Sequence, residues 1–173
     1  AVRYGHYPEG RSDAKGSEPE AVLSARFGLE DYLFVGSERG NFVAVYTLGP
    51  LGQPRFEQLL PGPQGPEGLL AIPDRNLLIV SGENDLEGIE ARSTVMIYQL
   101  KRGQPTYPQI LSDDDGGSPI PWSALSGMVG VPGRPNSVLA VWDAAFSESN
   151  APASSRTTMR EGWSNNQAVL LLA

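Results

Sequence analysis

Acidic residues recur at matched places in this sequence. Glu38, Glu83 and Asp143 each close an apolar run, and Glu20 and Glu67 each follow a proline at the start of one. Glu20 to Glu38 spans 18 residues, Glu67 to Glu83 spans 16, and Ser126 to Asp143 spans 17. If the runs are equivalent strands of sheets arranged about an axis, these acids converge on one rim. Carboxylates held that way repel one another unless a proton or a cation intervenes. Ca2+, a hard ion that takes roughly six to eight oxygen ligands, is the expected occupant, with Glu38, Glu83 and Asp143 as its ligands. Such an ion would polarise a phosphate ester and activate a water. Arg39 and Arg92 lie beside these acids, and a guanidinium offers paired donors to phosphate oxygens, so they are the expected substrate-binding residues. No residue is singled out as catalytic. The alternative is structural: the acids accept hydrogen bonds from backbone N–H groups and fix the packing between sheets, and the arginines pair with neighbouring carboxylates.

Other chemistries are excluded more firmly. His6 is the one histidine, so sites of several histidines are ruled out, and its place near the chain end suggests mere exposure. With no cysteine there are no disulfides, thiolate zinc sites or cysteine nucleophiles, and the redox compartment is left open. The chain has no Gly-x-Ser-x-Gly elbow, no phosphate-cradling Gly-x-x-x-x-Gly-Lys loop and no Gly-x-Gly-x-x-Gly. A net charge of −7 disfavours nucleic acid and anionic membrane surfaces as partners. No apolar run approaches the ~18 residues of a membrane span. Lacking an initiator Met and ending in "AVLLLA", the chain reads as a processed or trimmed piece, so its lack of a signal segment says little about a precursor.

The elements that must position the acids follow from a repeat. "EPEAVLSARFGLEDYLFVGSERGNFVAVYTL" (18–48) lies over "GPEGLLAIPDRNLLIVSGENDLEGIEARSTVMIYQL" (65–100), with Pro19-Glu20 matching Pro66-Glu67. "LSGMVGVPGRPNSVLAVWDAAF" (125–146) is a weaker third copy, which "QAVLLLA" (167–173) completes. Each copy has two apolar strands joined by a tight turn, then an acid, a loop and a third strand. "PRFEQLL" (54–60) and "YPQILS" (107–112) supply fourth strands to the first two copies, and residues 1–7 are available to the third. The runs are short, rich in Val, Ile and aromatics, and bounded by Gly or Pro, which favours strands over helices. Counts of 20 Gly and 15 Pro beside 40% apolar residues suit many short strands around a core. The expected fold is all-β: four-stranded β-propeller blades at approximately 18–60, 65–112 and 124–173, within one segment covering 1–173. Three blades do not close a ring, so further blades are expected from a parent chain or from other copies. A β-sandwich with accidental similarity between strands is the other architecture considered.

The loop "ENDLEGIEARS" (83–93), with Glu83, Asp85, Glu87 and Glu90, is longer than its counterpart in the first copy, and such extensions are common binding surfaces. A solvated acidic turn is the plainer reading. "SDDDGG" (112–117) lacks the spacing of a calcium-binding EF-hand loop.

Residues 11–48, "RSDAKGSEPEAVLSARFGLEDYLFVGSERGNFVAVYTL", resemble the start of a blade in the bacterial alkaline-phosphatase-like propellers of the choice-of-anchor I family, with their Asp-Lys-Gly-x-Glu-Pro-Glu phrase and Glu-Arg pair. "GPEGLLAI" with "LLIVSGEND" resembles the following blade, and "WSALSGMVGVPGRPNSVLAVWDAAF" is similar to the related phytase-like propellers. The chain departs from the pattern at Ala21, where Gly is usual, and at Thr47, where an acid often follows the Tyr. The resemblance implies a periplasmic or extracellular protein with metal-dependent phosphate-ester hydrolysis. A non-catalytic propeller that binds protein or glycan partners is the alternative.

Overall fold

The computed structural model describes residues 1–85, 88, 92–103, 110–123, 125–142 and 167–172. The fold is all-β with antiparallel sheets. Two compact units divide the chain: residues 17–104, and residues 1–16 together with 105–173.

The unit 17–104 holds two sheets. The first runs β1 (Pro19–Phe27), β2 (Glu30–Ser37), β3 (Phe42–Leu48) and β4 (Pro54–Pro61), side by side in chain order. Alternation builds it: along β1, Ala21, Leu23, Ala25 and Phe27 turn inward while Val22, Ser24 and Arg26 face outward. A two-residue loop joins β1 to β2, and its first residue, Gly28, has φ +62°, the glycine position of a tight hairpin turn. Phe27 and Phe34 meet edge to face with ring centroids 6.1 Å apart, and Val43, Val45 and Leu60 extend the buried surface beside them.

The second sheet runs β5 (Pro66–Ile72), β6 (Leu77–Gly82) and β7 (Val95–Gln99). Its Pro-Asp turn is one 3₁₀ turn, Pro73–Arg75, ended by Asn76 in the left-handed region at φ 55°. The two sheets pack face to face. Gly36 of β2 lies against the Pro66 carbonyl, Leu78 and Val80 are buried, and the Tyr98 hydroxyl donates to the Pro61 carbonyl at the end of β4.

The repeat is exact enough to be seen in the strand register. Pro19 faces Ser37 and the register then slips, so that Ala21 faces Gly36 and Glu20 is the extra residue of a β-bulge. Pro66 faces Gly82 and the register slips at once, leaving Glu67 as the extra residue before Gly68 faces Ser81. The third hairpin, β11 (Leu125–Val131) with β12 (Arg134–Trp142), slips between Leu125 and Gly127 at the same point. Counted from the bulge, the pair Leu23–Phe34 therefore corresponds to Leu70–Ile79 and to Val129–Leu139.

The other unit contains this third hairpin, β13 (Gln167–Leu172), and three short strands: β8 (Leu111–Ser112), β9 (Asp114–Asp115) and β10 (Ser118–Pro119). Its main sheet has the order β11-β12-β13-β8, and β9 and β10 form a small hairpin. Two strand assignments change here. Residues 111–112, expected as the fourth strand of the second sheet, instead pair with Leu171 and Leu172 at the outer edge of this one. Residues 1–7 supply no strand: Val2–Tyr4 form a 3₁₀ turn capped by Gly5 at φ 69°. The Trp122 ring explains that turn. A Cβ on Gly5 would sit 2.7 Å from it, and the indole N–H donates to the Arg3 carbonyl at 2.9 Å. Ile120, Trp122 and Ala140 are the buried centre of this unit.

Candidate functional site

Four of the acids read from the sequence, Glu20, Glu38, Glu67 and Glu83, lie in the unit 17–104 at the ends where β1 and β5 begin and β2 and β6 finish. Two local devices put them there. The bulges swing Glu20 and Glu67 out of the regular alternation, and both are exposed. The residue after each second strand is then tied back to the start of the first. Glu38 N–H donates to the Glu18 carbonyl at 2.9 Å, and Glu83 N–H donates to the Gly65 carbonyl at 2.9 Å. The two accepting residues share a backbone conformation, with φ 51° at Glu18 and φ 60° at Gly65.

Asn41 joins the two sheet ends. Its carbonyl accepts from Gly62 N–H at 2.8 Å, and its side-chain oxygen accepts from Gly65 N–H at 2.9 Å. The connector to β5 is thereby held against the loop that carries Glu38 and Arg39. As a result, one carboxylate oxygen from each of Glu38, Glu67 and Glu83 lies within 4.8 Å of the others, and Glu18, Glu20 and Glu38 form a second such group. Glu38 belongs to both.

The charges in the two groups are handled differently. Glu18 and Glu38 are 4% and 3% exposed, and Arg39 serves both. Its Nε donates to Glu18 Oε2 at 3.1 Å, while Nη2 stands 2.8 Å from Glu38 Oε1, an ion pair whose N–H is not aligned for a hydrogen bond. Burial pushes the Glu38 carboxyl above its ordinary value against the pull of Arg39, and the neighbouring glutamates add to the rise. The hydrogen bond it donates to Glu18 leads the causes that raise the Arg39 guanidinium. Glu67 is raised chiefly by the charge of Glu83, with which it also shares a side-chain hydrogen bond. Among the described residues, no lysine or arginine forms an ion pair with Glu67 or Glu83.

Of the expected metal ligands, Glu38 and Glu83 are brought together, and Asp143 lies outside the described residues. Glu67, read from the sequence as a shared acid at a strand start, takes the third place. Arg39 is engaged by Glu18 and Glu38. Arg92 pairs with Asp85 at 2.7 Å on the surface. Glu87 and Glu90 of the acidic loop are outside the described residues. The Asp run at 112–117 is a hairpin in which Asp114 pairs with Arg3, and His6 is half-buried rather than exposed. Glu18 is the residue that sequence reading missed. A signal was present, because the second copy has Gly65 where the first has Glu18, and a glycine before Pro-Glu marks a backbone that only glycine adopts without strain.

All the donors in the group Glu38, Glu67 and Glu83 are carboxylate oxygens, which matches a hard divalent cation such as Ca2+ rather than a soft or imidazole-seeking metal. A family model described as the Choice-of-anchor I domain matches residues 4–50, which include Glu18, Glu20, Glu38 and Arg39 but not Glu67 or Glu83. Choice-of-anchor domains are associated with surface and secreted proteins. No curated protein and no solved structure gives a significant match to the chain.

Proposed function

We propose that this chain is part of a secreted or surface-associated β-propeller, with Ca2+ held by Glu38, Glu67 and Glu83 where two neighbouring blades meet. The observation that carries the metal is the close approach of three carboxylates, two of which share a hydrogen bond and have no basic partner among the described residues. A divalent ion would replace the shared proton and remove the mutual repulsion that raises Glu67. The blade assignment is supported by the bulge that recurs in three hairpins and by the face-to-face stacking of the first two sheets.

Two activities fit such a site. When bound, the ion supplies Lewis-acid polarisation of a phosphate ester, the chemistry implied by the family resemblance. Arg39 would orient an ester oxygen only on release from both Glu18 and Glu38, which hold it here. A non-catalytic binding module is favoured by the engagement of both Arg39 and Arg92 with carboxylates. Thermal unfolding in Ca2+ and in chelator, with Glu83→Gln as control, tests the metal, and p-nitrophenyl phosphate turnover tests the chemistry. Metal-dependent melting with turnover supports the esterase, and metal-dependent melting alone supports the binding module. An unchanged melting temperature across both proteins and both conditions leaves the acids as packing residues.

A further inference from the structure

The first two hairpins differ at one matched pair of residues beside the carboxylates. Glu38 and Glu83 follow equivalent strands, and Arg39 comes after the first where Asn84 comes after the second. Glu18 precedes the first Pro-Glu and Gly65 precedes the second, both with positive φ. The partners are matched in space as well as in sequence. Arg39 Nε donates to Glu18 Oε2 at 3.1 Å, and the Asn84 amide lies so close over Gly65 that a Cβ there would clash with it. The bulged hairpin therefore closes without an arginine, and Arg39 with Glu18 is an ion pair added to the first of these two hairpins.

What Arg39 adds is a positive charge on one member of the three-carboxylate group. Its Nη2 stands 2.8 Å from Glu38 Oε1, an oxygen that is buried and has no hydrogen-bond partner. A guanidinium paired with Glu38 and a divalent ion held by Glu38, Glu67 and Glu83 draw on the same carboxylate, and their like charges repel. The frame of the group is built without Arg39. Glu38 N–H bonds to the Glu18 carbonyl, Glu83 N–H bonds to the Gly65 carbonyl, and the Asn41 side chain holds Gly65 N–H. We infer that Arg39 is an internal competitor for the cation site and sets how much Ca2+ is needed to fill it. Ca2+ displaces the guanidinium from Glu38, and the buried Glu18 retains it. The inference rests on the cation reading of Glu38, Glu67 and Glu83, and assigns to that site the residue that controls its affinity.

Calorimetric titration of CaCl2 into the whole chain at fixed pH and ionic strength tests it, with thermal unfolding in chelator as the check on folding. Glu18→Gly together with Arg39→Asn gives the first hairpin the pair found in the second. It removes one charge of each sign, so the net charge stays at −7. This double variant is expected to bind Ca2+ roughly tenfold more tightly than wild type, the effect of freeing one carboxylate from a partly screened ion pair. Glu67→Gln in the same background is expected to cancel the gain. Arg39→Gln alone carries the same expected sign and serves if the double variant does not fold. Arg26→Gln makes an equal change of charge at an exposed arginine paired with Asp31, and is expected to leave the affinity where it was. Wild type that binds Ca2+ as tightly as the double variant would overturn the competitor and leave the cation site standing. An equal gain from Arg26→Gln would also overturn it, because general charge would then account for the effect. A gain that survives Glu67→Gln puts the ion elsewhere and overturns both readings, as does an absence of binding in wild type and every variant. Binding that appears in the double variant and not in wild type supports the inference, with Arg39 closing the site in the native chain.

Discussion

Arg39 is the residue on which the glutamate cluster depends. It stands between two carboxylates that are almost wholly buried, so truncating it takes the same cation from both. Breaking a fully buried pair costs about 3–5 kcal/mol, and because Arg39 is 38% exposed, with water able to screen what remains, Arg39→Ala is expected to lose ~1–3 kcal/mol in urea unfolding. Added Ca2+ should recover part of that loss if a divalent ion enters the cluster. Acid has the opposite sign from the usual carboxylate case. Glu38 and Glu67 are raised above the ordinary value of 4.5 in the folded chain, Glu38 by burial and Glu67 by the charge of Glu83. Between the ordinary and the folded value the native state holds protons that the unfolded chain has released. The stabilisation from these groups is complete below the ordinary value and is lost as pH rises through the folded one. In chelator, the melting temperature should therefore climb as pH falls from neutral toward the ordinary value of 4.5, and Glu67→Gln should flatten that slope and raise the melting temperature at neutral pH. With Ca2+ present the dependence should reverse, because the ion competes with protons for the same oxygens.

At the scale of elements, the bulged hairpin is the unit that repeats, and the residue before its proline must take a positive φ. Gly65 does so at φ 60°, and a Cβ there would stand 2.4 Å from the Asn84 side chain. Gly52 has φ 78° with nothing within 4 Å. Gly52→Ala thus isolates the backbone strain, about 1–2 kcal/mol for a left-handed residue, whereas Gly65→Ala adds the clash. Chemical denaturation of the two variants should show Gly65→Ala the worse, by the cost of displacing the Asn84 side chain. Glu18 carries the same conformation without glycine's freedom, and its ion pair to Arg39 is the compensation visible in the structure.

For the molecule as a whole, two units with separate cores imply two reporters. Trp122 lies in the buried centre of one unit, and no tryptophan occurs within 17–104. The glutamate cluster belongs to the tryptophan-free unit. Ca2+ is expected to move the unfolding transition followed by tyrosine absorbance or far-UV circular dichroism, and to leave the transition followed by tryptophan fluorescence where it was. Equal shifts in both signals would mean that the units unfold as one cooperative body.

Sequence by itself determined the strands of the unit 17–104, the repeat that relates them, and the meeting of Glu38 with Glu83. These are local matters. Alternation, turn residues and the spacing between a proline and an acid are written in consecutive positions, and a repeated phrase repeats its hydrogen-bond register. Tertiary structure alone decided three things. Glu67, not read as a ligand, entered the group with Glu38 and Glu83 because the connector bonded to Asn41 holds the second hairpin against the first. Glu18 and Glu38 became buried, and that burial turned Arg39 from a candidate phosphate ligand into the partner of two carboxylates. Ser112 and Leu111 left the second sheet for the edge of the third, a choice between two strand edges that a two-residue segment cannot encode in its own side chains. Pairing across sheets depends on what lies opposite in space, and no spacing along the chain records it.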